Sequence, residues 1–247
     1  MPRWLAYLIV LALLSAAGAW AFASLDMNWN WGVVWDYRAA FWQGWWMTVL
    51  LSLASLLTSS LIGVTAAMML RSSMPLVQAA ARVYVELIRG TPLLVQLLIG
   101  WYVVAAALRM GTDQRYLVGV LVLSLFSGAY MAEIFRGGLD AIPRAQIDSA
   151  RAIGLTPGQT LRLVVLPQAV RIVLPSVAGQ LVSLIKDSSL LSVISIAEFT
   201  FNARNVNSAT YSTLESYLPL AVGYLALTLP LSALSRWLER RFRYEAA

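Results

Sequence analysis

The chain has 247 residues, 60% of them hydrophobic and only 12% charged, and its mean hydropathy is +0.71. A water-soluble domain ordinarily carries about 25% charged residues, so the expected solvent is lipid. With neither histidine nor cysteine, thiolate and imidazole metal sites, a cysteine nucleophile and a histidine general base are excluded. The formal charge of +6 is scattered between apolar runs and makes no basic, aromatic-laced face of the kind that binds nucleic acid.

Apolar runs of about 20 residues, the length that crosses a bilayer, fall near 4–24, 43–70, 92–108, 116–135, 173–199 and 216–236. They predict an all-α integral membrane protein with about six transmembrane helices and no large soluble domain. The first run has a basic start, an apolar core and an Ala21-Phe22-Ala23 end that resembles a signal-peptidase site. It is either a retained helix, the favoured reading, or a cleaved leader that leaves five spans with the same topology. Residues 1–41 then form an N-terminal helix with a Trp-rich segment, 42–240 the membrane domain with a polar loop at 140–167, and 241–247 a tail.

Orientation follows from charge. If Arg3 and the C-terminus face the cytoplasm, so do Arg71, Arg82, Arg89, Arg136, Arg144, Arg151, Arg162, Arg171, Arg236, Arg240, Arg241 and Arg243, which is 13 of the 18 basic residues. Only Arg38, Arg109, Arg115 and Arg204 face outward, and Lys186 falls within a span. That asymmetry is the positive-inside pattern, and Trp29, Trp31, Trp35, Trp42, Trp45 and Trp46 crowd the opposite interface, where amphipathic rings belong.

Between the second and third spans, RSSMPLVQAAARVYVELIRGTP predicts a short amphipathic helix ending at Gly90, with Val77, Ala81, Val85 and Ile88 at helical spacing and Pro92 just beyond. It reads as an elbow along the inner membrane surface. Gln96, about one turn into the third span, wants an internal partner, and a bond to another helix in a dimer is favoured over a substrate contact.

The polar interruption DSARAIGLTPGQTLRLVVLP (148–167) carries its own helix signals. Pro143 suits a first helical turn, Gly154 supplies a stop, and Thr156-Pro157-Gly158-Gln159 has the form of a capping box with proline at the first helical position. The second helix is expected to end before Pro167, which restricts Leu166. The small residues Ala145, Ser149 and Ala150 would let a partner's groove approach the first helix closely. On the residues alone, partner docking and a loop that merely folds back stand level.

These residues resemble the signature loop of the permease subunits of ABC importers: Glu-Ala-Ala, three residues, Gly, nine residues, Ile-x-Leu-Pro. Here it reads Asp148-Ser149-Ala150, Gly154 and Val164-Val165-Leu166-Pro167, with Asp, Ser and Val as conservative departures. ELIRGTPLLVQ (86–96), AEIFRGGLDAIPRAQ (132–146), VVLPQAVRIVLPS (164–176) and IKDSSLLSVI (185–194) are similar to segments of the polar amino acid importers of the histidine/glutamine/arginine/glutamate type. The resemblance runs from about 42 to 240. It implies a type I ABC importer permease fold whose loop docks a cytoplasmic ABC ATPase dimer, with a second permease subunit, identical or paralogous, and a periplasmic amino acid-binding protein. ATP and Mg would belong to the ATPase; this sequence has no G-x-x-x-x-G-K-[ST] loop of its own. The implied location is the bacterial cytoplasmic (inner) membrane.

Four further residues could meet a substrate. Glu133, after Ser127-Gly128-Ala129, either lines the path, where the family's AEIFRGG element lies, or pairs with Arg136 or Arg89 at headgroup level. Lys186, Asp187 and Ser188 interrupt an apolar run and mark either an unwound stretch that binds the two charges of an amino acid or a water boundary. A standalone ion-coupled transporter or channel is the alternative reading. It would want more intramembrane carboxylates and an internal repeat, and neither is visible; a membrane enzyme would want the absent His or Cys.

Overall fold

The computed structural model describes residues 3–23 and 29–242, and every regular element among them is helical. The helices are α1 (Arg3–Ala23), α2 (Gly32–Asp36), α3 (Arg38–Leu70), α4 (Pro75–Gly90), α5 (Leu93–Ile99), α6 (Arg115–Asp140), α7 (Arg144–Ala152), α8 (Pro157–Thr160), α9 (Leu166–Asp187), α10 (Phe199–Thr210) and α11 (Thr213–Arg241). Four helical stretches are long and apolar enough to span: 38–70, 112–140, 157–194 and 213–241. The pair α4–α5, bent by 106° and continued by a π-helical stretch (Gly100–Ala105), supplies a fifth, and α1 is a shorter apolar helix. The cleavage-like end at Ala23 adjoins residues 24–28, which with Arg243 and the rest of the tail lie outside the described residues.

The frame is α3 against α6, the most extensive helix contact in the chain. Ser52, Ser55, Ser59 and Gly63 of α3 are buried against Ser124, Ser127 and Gly128 of α6. In lipid no hydrophobic force drives helices together, and small residues let dispersion and hydrogen bonds do so at close range. Any side chain at Gly63 would run into Met131, and one at Gly128 would come within 2.7 Å of Ile62. Gln180 of α9 joins the seam by donating to Ser127 Oγ at 3.1 Å. Beside it lies an apolar core of Leu51, Leu97, Leu123, Leu184, Leu191 and Ile194.

Two expected boundaries move. The span expected over 173–199 ends earlier: the α-helix runs to Asp187, tightens to a 3₁₀-helix through Ile194, and the chain turns at Ser195, which has φ 60°. Ser188 and Ser189 bond back to the carbonyls of Ile185 and Lys186 at 2.8 and 2.7 Å, a competition that loosens a helix. Glu198 then caps α10, accepting from the backbone amides of Thr200 and Phe201 at 2.8 Å each. Nor does the helix from Thr156 stop before Pro167. A π-helical stretch, Leu161–Val165, absorbs the missing donor and places Pro167 in the first turn of α9.

Glu198 is the largest feature that composition did not reveal. Its side chain is wholly buried in the connection between α9 and α10, near Thr48 Oγ1 (3.4 Å) and Tyr224 Oη (3.1 Å), both of which donate to it. Replacing Glu198 with Ala should lower the thermal stability of the detergent-solubilised protein by about 1–2 kcal/mol, the scale of a lost N-cap. Glu198→Gln, which keeps an acceptor oxygen, should cost less. An unchanged melting temperature in the Ala variant would contradict the capping role.

Candidate functional site: a capped hairpin

The hairpin 143–167 is built by local chemistry at every joint. Pro143 is the N-cap of α7, one position before the helical turn expected of it. At the other end Gly154 N–H donates to Arg151 O (2.9 Å) and Leu155 N–H to Ala150 O (3.1 Å), the paired bonds of a Schellman stop. Gly154 takes φ 86°, where residues with a Cβ are strained. The capping box forms as the spacing implied: Thr156 Oγ1 accepts from Gln159 N–H (3.3 Å) and Gln159 Oε1 from Thr156 N–H (2.9 Å). Gln168 of α9 donates to Gln146 Oε1 of α7 at 2.6 Å, so the hairpin is tied to the span that follows.

This geometry sorts the signature residues. Asp148, Ser149, Gly154, Leu166 and Pro167 are exposed. Ala150 is buried in the hairpin itself, so its small size serves internal packing and not, as expected, a partner's close approach. Sequence reasoning passed over the large apolar residue that the hairpin presents most openly, Ile153, 78% exposed between Ala152 and Gly154. Periodicity gave no signal, since Ile153 follows Ala150 by three residues, a same-face spacing in a continuous helix; it is exposed because it is the C-cap, where the helix has ended.

The other candidates do not converge. Gln96 donates to Ile88 O (2.8 Å), Thr91 O (3.2 Å) and Thr91 Oγ1 (2.8 Å). Within this chain its partner is thus the elbow. Glu133 accepts from Arg136 at 2.7 Å and lies 3.8 Å from Arg89, whose guanidinium sits over the Tyr130 ring. Lys186 is exposed and forms no ion pair among the described residues; Asp187 is partly buried, and the buried Ser188 hydroxyl serves the helix end. Taking the Gln180–Ser127 bond as a level, Glu133 is six residues nearer the hairpin on α6 and Lys186 six residues farther from it on α9. At 1.5 Å per residue they stand roughly 18 Å apart along the membrane normal.

Residues 59–244 match the family described as binding-protein-dependent transport system inner membrane component. The chain belongs to that family. The permease is 33% identical over 217 residues to the glutamine transport system permease protein GlnP of Escherichia coli (strain K12), covering 88% of this chain and 99% of that one. It is 32% identical over 213 residues to the probable glutamine ABC transporter permease protein GlnM of Bacillus subtilis (strain 168), covering 86% and 97%. Against the nopaline transport system permease protein NocM of Agrobacterium fabrum (strain C58) it is 35% identical over 195 residues, covering 76% and 81%. A solved structure described as an amino acid ABC transporter with histidines superposes with a TM-score of 0.80 at 35% identity, covering 87% of this chain and all of that one. The MetNI methionine ABC transporter, at 17% identity and a TM-score of 0.68, shares the fold. The permease therefore has the type I ABC importer permease fold.

The two hairpin glycines give a direct test of the Schellman stop. A methyl group at Gly154 or Gly158 would meet nothing within 4 Å, yet only Gly154 has a positive φ. Gly154→Ala should speed hydrogen exchange across 144–160, with a local loss of about 1 kcal/mol. Gly158→Ala, inside α8, should leave exchange unchanged or slower. Equal behaviour of the two variants would contradict the assignment.

Proposed function

We propose that this permease is the transmembrane subunit of an ATP-driven importer of polar or charged amino acids, driven through its 140–167 hairpin by a separate cytoplasmic ABC ATPase dimer. The observation that carries the reading is a doubly capped hairpin with Ile153 at its apex, continuous with a membrane span through α8, the π-helical stretch and α9. A push on the hairpin moves α9 as one lever. ATP and Mg are held by the ATPase. The names of the relatives, glutamine, nopaline and arginine permeases among them, support the cargo class.

The remaining partners follow from faces left uncovered. The apolar window of α11 buries none of its residues within this chain and that of α9 few, whereas α6 buries half. A second permease subunit and lipid cover α9 and α11, and a periplasmic amino acid-binding protein delivers cargo at the Trp-rich end. Lys186, exposed at membrane depth without an ion pair among the described residues, and its neighbour Asp187 meet the carboxylate and ammonium of the cargo. Glu133, neutralised by Arg136 and Arg89, clasps the elbow to α6. The C-terminus and the hairpin are cytoplasmic.

Ile153→Asp should abolish stable co-purification of the ATPase and stop ATP-driven uptake, while the permease still inserts and melts normally. Full ATPase retention would remove Ile153 from the interface. Orientation is tested separately in a chain that has no native cysteine. A cysteine at the exposed Ser208 should react with an impermeant thiol reagent added to spheroplasts, and one at Gln159 should react only after permeabilisation. The reverse pattern would overturn the orientation.

A further inference from the structure

The charged flank of α4 is not a flat solvated face. With Leu70 at the end of α3 and the inner end of α6 it encloses a pocket of about 350 Å³, lined by Leu70, Arg82, Val85, Glu86, Arg89, Glu133 and Arg136. That volume is at the small end of ligand sites, which run roughly 300–1,000 Å³. The apolar flank of the same helix, at Ala80, Ala81 and Tyr84, faces Leu61, Ile62 and Leu125 deeper in the membrane. The charged flank therefore opens toward the aqueous side at which α3 and α6 end.

The charges in the pocket are unevenly used. Glu133 is engaged by Arg136 at 2.7 Å and more loosely by Arg89 at 3.8 Å. Arg136 also reaches Asp140 at 3.6 Å, and Asp140 is held by Arg71. Arg82 and Glu86 enter no ion pair among the described residues, although one helical turn separates them. An acid four residues after a base is the weaker helical order, which leaves both groups available to a ligand. The pocket thus offers a free guanidinium, a loosely held one at Arg89, and a free carboxylate, within a volume that fits one small dipolar molecule. A dianion such as phosphate would meet the two carboxylates of Glu86 and Glu133.

We propose that this pocket binds a free amino acid from the cytoplasm, its carboxylate on Arg82 and Arg89 and its ammonium on Glu86, and that occupancy slows import. The inference rests on the amino acid reading and the orientation above. The link to transport is short. The bound molecule joins α4 to α6 beside Arg136, whose partner Asp140 precedes the N-cap Pro143 of the hairpin by three residues. Accumulated product would then restrain the element that drives the transporter.

The test uses proteoliposomes holding the whole transporter, with ATP inside and the binding protein and labelled amino acid outside. Lumens are preloaded with increasing unlabelled amino acid, and initial uptake is measured. Native transporter should be inhibited in a dose-dependent way. Arg82→Gln and Glu86→Gln should each need roughly tenfold more lumenal amino acid for the same inhibition, the scale of one lost charged hydrogen bond, with uptake into empty lumens unchanged. The corresponding amine without its carboxylate, placed in the lumen, should not inhibit. Absent inhibition in the native transporter, or equal inhibition in both variants, would overturn the pocket. Inhibition by lumenal phosphate but not by amino acid would overturn its ligand. Failure to import any amino acid into empty lumens would instead strike the functional reading itself, and the pocket's ligand with it.

Discussion

A backbone amide or carbonyl in hydrocarbon has no water to turn to, so each break in a membrane helix must be sealed by the protein. This chain breaks its helices repeatedly, and a named side chain seals each place. At the α4–α5 elbow, Thr91 and Pro92 turn the chain through 106°, and Gln96 with Thr91 Oγ1 takes up carbonyls at the end of α4. Where α9 gives way to its 3₁₀ extension, Ser188 and Ser189 do the same. Arg115 donates to Ser195 O at 2.9 Å beyond it, and Glu198 covers the first amides of α10. Polar residues that look like transport chemistry in a sequence are here largely occupied in closing the backbone.

The need to satisfy helix ends also shapes the hairpin. Its caps satisfy helix ends that helices of nine and four residues could not leave open, and they favour a stiff hairpin. A stiff hairpin transmits force; a frayed one would absorb it. The π-helical stretch before Pro167 matters for the same reason, since it keeps 157–194 a single helical body across a proline that would otherwise break it. The Ser/Gly seam between α3 and α6 supplies the fixed frame against which such a lever can move.

Much of this was legible in the sequence. Span number, the elbow, the stop at Gly154 and the capping box at Thr156 each depend on residues within a few positions of one another, and local chemistry decided them. What failed to show depends on contacts distant in the chain. Gln96 could be seen to need a partner, but only the fold shows that the elbow supplies it. The interruption at Lys186, Asp187 and Ser188 was visible in the run 173–199, but its end was not, because Ile194, Ile196 and Phe199 are all apolar; the turn at Ser195 is held by Arg115, eighty residues earlier. Glu198 gave no signal, because its value lies in Thr48 and Tyr224 on two other helices. Pro167 misled for a different reason: a single π-turn is enough to carry a helix through it, and no sequence period announces one.

The claim on which the functional reading turns is that this chain conducts amino acids only when an ATPase drives it. The direct measurement is uptake of labelled polar amino acids into proteoliposomes holding the permease with its ATPase, with binding protein outside and either ATP or a non-hydrolysable analogue inside. Uptake should require both the binding protein and hydrolysable ATP, and should be indifferent to imposed sodium or proton gradients. Accumulation that follows an ion gradient without ATP would contradict it.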